Sequence, residues 1–194
     1  MKALLLPLAL AAASPACGSR QADVAERSAC SAAGAAALAA LPKDTPPLPA
    51  LSGRVVDGAD LLKPEAEARI TGALRALETE TSDQLVVVTT PSLGGQPIDA
   101  YGLRLGNGWG IGQKHLNNGV LLIVAPAEQR VRIEVGCGLE GLLTDERAHE
   151  IIVKDLMPNF AGNAFEAGID AGIRSIRTTL LSDTKRPQTR KDPA

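Results

Sequence analysis

The stretch "NGVLLIVAPAEQRVRIEVG", from Asn118 to Gly136, constrains the fold of this chain more than any other. It reads as two strands joined through "PAEQ", with the turn centred near Glu128. In an antiparallel hairpin, residues equidistant from the turn lie opposite one another. Asn118 and Gly138 stand equally far from Glu128 on either side. The start of the first strand and the loop after the second therefore meet at one end of a sheet.

That loop, "GCGLEG", poses the sharpest functional question in the sequence. Gly136, Gly138 and Gly141 spell G-x-G-x-x-G between a strand-like and a helix-like run, the context of a dinucleotide fingerprint. The reading fails, because a fingerprint opens a βαβ unit and needs a further parallel strand with an acidic residue at its end. Here two helical patterns follow, with no strand after them. Glu140 also sets a carboxylate inside the loop, where it would repel a phosphate. "GWGIG" fails too, since it follows a helix. No nucleotide cofactor is expected.

The remaining elements follow from periodicity. "GRVVDGADLL" gives a short extended segment ending at Asp57. Pro64 suits the first position of a helix, with Glu65 and Glu67 in the first turn and Ala66, Ile70, Ala73, Leu74 and Leu77 on one face. "QLVVVTTP" is a continuously apolar strand stopped by Pro91. A second helix starts at Pro97, and Gly102, Gly106 and Gly108 predict a fray or break before Trp109. Thr144 is the N-cap expected for a third helix, which Pro158 should end. A last helix runs from about Ala164, with Ile169, Ile173, Ile176 and Leu180 as its stripe. The order is β-α-β-α-β-β-α-α.

Both ends of the chain read as extras. Lys2 precedes an apolar run from Ala3 to Ala13, too short to span a bilayer but right for a signal peptide. "SPAC" closes it, and cleavage before Cys17 fits either of two patterns. One is an ordinary small-x-small signal for soluble periplasmic export. The other is a bacterial lipobox, in which Cys17 would be acylated, although Ser14 stands where Leu is usual. Residues 17–50 are rich in Ala and Pro and read as a tether. Residues 51–182 form the ordered domain, and 183–194 a basic solvated tail. Cys30 and Cys137 remain, and an oxidising compartment would permit them to pair or leave two thiols. Formal net charge is −2, which argues against a broad nucleic-acid surface.

Most catalytic patterns are missing. His149-Glu150 begins an H-E-x-x-H motif, but Val153 holds the place of the second histidine. The chain carries no G-x-S-x-G, and His115 and His149 read as surface residues. What survives is a set of oxygen-bearing residues at element ends: Asp57, Asn117, Asn118, Glu140 and Asp145. Hard cations such as calcium take carboxylate and carbonyl oxygens from flexible loops. The bland alternative makes these residues turn formers and an N-terminal helix charge.

Four blocks, "GRVVDGADLL", "QLVVVTTPSLGGQPIDAYGLRLGNGWGIG", "NNGVLLIVAPAEQRVRIEVGCGLEGLLTD" and "IIVKDLMPNFAGNAFEAGI", resemble in order those of the TPM domain. That family is named after a thylakoid lumen protein, a photosystem repair factor and a nematode receptor modulator. The resemblance implies an α/β fold, a three-layer α/β/α sandwich around a small mixed sheet with one antiparallel hairpin. It also implies a divalent cation, calcium by preference, at one end of that sheet, with Asp57, Asn118, Glu140 and Asp145 as its candidate ligands. Many members read Asp-Asn-Gly where this chain has Asn117-Asn118-Gly119, and losing that carboxylate should weaken the site. Taken with the signal at the N-terminus, the function expected is that of an exported, envelope-localised and non-catalytic module, lipid-anchored through Cys17 or alternatively soluble in the periplasm, that assists or modulates a membrane-associated protein complex. A weak, cation-dependent acid phosphatase is the alternative.

Overall fold

The computed structural model describes residues 47–182. Its centre is the strand expected from the longest apolar run. β3 (Gly119–Ala125) has all seven residues buried, which requires neighbours on both edges and layers on both faces. It pairs in parallel with β2 (Gln84–Thr89) and antiparallel with β4 (Arg130–Val135), while β1 (Val55–Asp57) pairs in parallel with β2. The sheet order is β1-β2-β3-β4. Fully burying a side chain such as Leu121 or Leu122 stabilises by roughly 1.5–3 kcal/mol, so this one strand anchors the domain.

Alternation along the strands divides the core in two. Leu85, Val87, Val120, Leu122, Val124 and Ile133 face a layer built from α1 (Pro64–Thr81), α3 (Asp145–Ile151) and α5 (Phe165–Leu181). Val86, Val88, Leu121, Ile123 and Ala125 face α2 (Ile98–Trp109) on the other side. The fold is the expected α/β arrangement, helices on both faces of a mixed sheet with one antiparallel pair.

Three local expectations change. α2 does not break before Trp109; it runs through its glycines to a left-handed cap at Gly110. The glycines let the helix lie close to its neighbours. A β-carbon at Gly102 would come within 3.0 Å of Ile123 and Glu134, and one at Gly108 within 2.8 Å of Leu48. Leu48 thus packs on α2, and the Trp109 indole donates to the Pro49 carbonyl at 2.9 Å, so order begins before Leu51.

Pro158 does not end the third helix either. α3 passes into a π-helical segment, Ile152–Leu156, and then into α4 (Met157–Phe160), with Pro158 in its first turn. Pro158 has no N–H to give and its ring would crowd the carbonyl four residues back. The widened π turn, in which Met157 N–H reaches the Ile152 carbonyl, carries the chain past that obstacle. Thr144 caps α3 as expected, its hydroxyl accepting the Arg147 N–H at 3.2 Å.

Candidate functional site

Three segments meet where β2 and β3 begin and β4 ends. α1 closes with Ser82 in a left-handed conformation (φ 67), and the chain turns at once into β2. That turn buries Asp83 completely. The second segment, between α2 and β3, turns at Gly112 (φ 95) and Asn117 (φ 48). The third is the glycine loop after β4.

Asn118 joins the first two segments. It is 2% exposed, its Oδ1 accepts the Gln113 N–H at 2.8 Å, and its Nδ2 donates to the Ser82 carbonyl at 2.7 Å and to Asp83 Oδ1 at 3.2 Å. Gln84 adds a parallel tie, its Oε1 accepting the Gly112 N–H at 2.8 Å. Buried polar groups need such partners, because an unmade bond costs about 1–3 kcal/mol.

The glycines explain how the loops come so close. A β-carbon at Gly136 would lie 2.3 Å from the Asn117 carbonyl oxygen, and one at Gly138 only 1.8 Å from that of Leu116. Gly112 and Gly119 press on each other in the same way, at 2.5–2.6 Å from the facing backbone. Gly136 N–H donates to the Gly119 carbonyl at 2.8 Å and Gly138 N–H to that of Asn117 at 3.0 Å. The space in which a fingerprint would seat a pyrophosphate is filled by residues 116–119 of the chain itself. Gly141 meets nothing within 4 Å. The pairing is Val120 with Val135, which sets Asn118 opposite Cys137 rather than Gly138, because the turn has an even number of residues.

The four candidate ligands are placed unequally. Asn118 lies at the heart of this loop end, Glu140 is exposed in the glycine loop, and Asp145 is exposed as the first residue of α3. Asp57 is elsewhere, which corrects the expectation of one cluster. β1 runs parallel to β2, with Asp57 beside Thr89, whereas Asn118 precedes Gly119 beside Gln84. The six residues of β2 separate the two ends by about 20 Å at ~3.3 Å per residue. An element that ends at Asp57 and one that starts after Asn118, running the same way, must present them at opposite ends. The Asp57 carboxylate instead holds the turn after β1: it accepts Leu61 N–H at 3.1 Å, Leu62 N–H at 2.8 Å and the Thr89 hydroxyl.

Asp83, Gln84 and Gln113 are the members of this end that sequence reading missed. Ser82-Asp83-Gln84 before an apolar run looks like an ordinary turn. Asp83 within it is buried because β2 is an interior strand with neighbours on both edges. His115 and His149 are exposed, as expected. Cys137 is half-buried and disulfide-bonded; Cys17 and Cys30 both lie outside the described residues. Among the described residues, no three His, Cys, Asp or Glu side chains converge as a metal-ligand group, and the Asn118 oxygen is already engaged. Of the set assigned to a cation from sequence, Asp57 is the member that the sheet holds apart from Asn118. Side-chain oxygens at this end or on the loop that adjoins it are those of Asp83, Asn117, Asn118 and Glu140. Among the described residues no helix is long and apolar enough to cross a membrane.

Comparison with known proteins places this architecture. Residues 55–179 match the family described as the TPM domain. The N-terminal domain of a protein from P. gingivalis, solved by solution NMR, is 35% identical, with TM-score 0.62 over 66% of this chain and 81% of that one. The BA42 protein of Bizionia argentinensis is 22% identical, with TM-score 0.55 over 62% and 81%. The N-terminal domain of the cg2496 protein of Corynebacterium glutamicum is 14% identical, with TM-score 0.56 over 79% and 96%. The last two show likeness of fold alone. No curated protein matches.

Proposed function

The chain belongs to the TPM domain family, and from that premise we propose that it is an envelope-localised, non-catalytic module that binds a divalent cation weakly and assists or modulates a membrane-associated protein complex. The observation that supports the cation is chemical: the loop end gathers oxygen donors, with buried Asp83 beside Asn118 and with Glu140 on the adjoining glycine loop. Oxygen-only donors suit a hard ion such as calcium, and few carboxylates mean low affinity. Asp57 takes no part in this reading. Envelope attachment rests on "SPAC" and an acylated Cys17; palmitate labelling that persists in Cys17→Ala would refute it.

Thermal unfolding of the full chain, freed of metal by chelator, tests the cation. A ligand of the folded state raises the melting temperature, by an amount that grows with the logarithm of its concentration once that exceeds the dissociation constant. Calcium should raise it in the millimolar range, and Asn117→Asp should enlarge the rise by restoring a carboxylate. No response up to roughly 10 mM, beyond the weakest extracellular sites, sinks the cation. Hydrolysis of p-nitrophenyl phosphate that disappears in Glu140→Ala would replace the module with the low-turnover, cation-dependent phosphatase.

A further inference from the structure

β4 forms one edge of the sheet. Gly119 and Gly136 face each other and are hydrogen-bonded, so bonded pairs alternate along the hairpin from there. Val131, Ile133 and Val135 consequently turn their N–H and C=O groups away from β3. Val124, opposite Val131, confirms the phase, because its carbonyl goes the other way, to Thr90 N–H at 3.0 Å. Among the described residues, no backbone hydrogen bond reaches the outward groups of these three.

A second observation lies alongside. The π-helical segment packs next to β4, and Met157, which follows it, is 45% exposed. At the start of the strand a cleft of about 380 Å³ opens between Arg130, Val131, Met157, Phe160 and Phe165. Arg130 is exposed at its mouth, and among the described residues no carboxylate pairs with it. An open backbone ladder and uncovered apolar side chains thus share one border. A single extended segment laid beside β4 would satisfy both, with main-chain bonds for affinity and alternate side chains for specificity.

We propose that the outer edge of β4 is a docking site for an extended peptide segment of a partner protein, which adds as a fifth strand with apolar side chains over Met157 and the cleft and a carboxylate facing Arg130. A second copy of this chain is the competing occupant, and it leaves the charge of Arg130 unmet. Pairing β4 with itself through its three outward residues allows few registers. One sets Arg132 against Arg132, and another sets Glu134 against Glu134, where like charges repel. The register that avoids both sets Arg132 opposite Glu134 twice and is the one self-pairing would use, but it leaves Arg130 opposite Gly136, with no carboxylate to meet it. The proposal rests on the reading of the chain as a binding module, but not on the cation, since the edge and the Asp83–Asn118 loops are different surfaces.

The test is a titration of the full chain, labelled with nitrogen-15, with the soluble probe acetyl-Lys-Val-Thr-Val-Glu-Val-Thr-amide. Amide exchange should slow at Val131, Ile133 and Val135. Val131→Pro removes an outward N–H that β3 does not use, so the fold should stand while probe affinity falls roughly tenfold or more. Arg130→Glu should weaken the same probe and strengthen one carrying lysine in place of its glutamate. Absence of binding at millimolar probe, binding that survives both variants, or edge protection that grows with protein concentration alone would overturn the proposal; the last would mark self-pairing. Calcium melting on the same samples separates the two readings: a calcium response without probe binding overturns the docking edge only, and probe binding without a calcium response overturns the cation only.

Discussion

Gly138 and Gly141 are equivalent letters of one motif, and the structure predicts opposite results for their replacement by alanine. The β-carbon of Gly138→Ala would stand 1.8 Å from the Leu116 carbonyl oxygen, and real contacts of this kind essentially never fall below 3.0 Å. The two backbones must part by more than an ångström. Overpacking of this sort costs about 1–3 kcal/mol. The Gly138 N–H bond to Asn117, 3.0 Å long, would go with it, for roughly 0.5–1.5 kcal/mol more. The expected loss is about 3 kcal/mol, or on the order of 10 °C in melting temperature for a domain of this size. Gly141 has open space around it and no positive φ. Gly141→Ala should therefore leave stability unchanged or raise it by about 0.4–1 kcal/mol, through the unfolded chain. Urea unfolding followed by circular dichroism measures both. Equal losses in the two variants, or a loss below about 1 kcal/mol in Gly138→Ala, would refute the reading that the glycines serve backbone contact.

Two further outcomes follow from named contacts. Asp57→Ala should destabilise by about 1–2 kcal/mol, because the N–H groups of Leu61 and Leu62 lose their acceptors, yet should leave any calcium response intact; loss of that response would return Asp57 to the cation site. Glu128 accepts Leu93 N–H and the Ser92 hydroxyl, and these bonds hold its carboxyl below the ordinary glutamate range. A lowered folded-state value stabilises above the unfolded value and is lost as pH falls through the folded one. The advantage of the wild type over Glu128→Gln in urea midpoint should be present at neutral pH and vanish in acid; an advantage constant with pH would contradict this.

Short-range physics was legible in the sequence. The apolar run from Val120 to Ala125 announced a buried strand because only a doubly covered strand can hide both faces of such a run. Pro64 and Thr144 announced helix starts because the requirement they meet, a spare first N–H or an orphan one needing an acceptor, is local. Pro158 misled for the reverse reason. Its local cost was real, but the chain met it with a π turn that keeps the helix packed on the core.

What the sequence by itself determined is the set of elements, the hairpin and the family resemblance, since each depends on neighbours a few positions apart. Strand direction and interior rank were decided only by the tertiary structure, and they carry the functional difference. Parallel pairing of β1 with β2 sent Asp57 to the end of the sheet opposite Asn118. Placement of β2 between two strands buried Asp83, a residue with every sequence mark of an exposed turn. The glycines of "GCGLEG" were visible from the start, but what they admit was not. Contacts across residues 116–119 show that Gly136 and Gly138 admit the chain's own backbone, a distance no spacing along the sequence can encode.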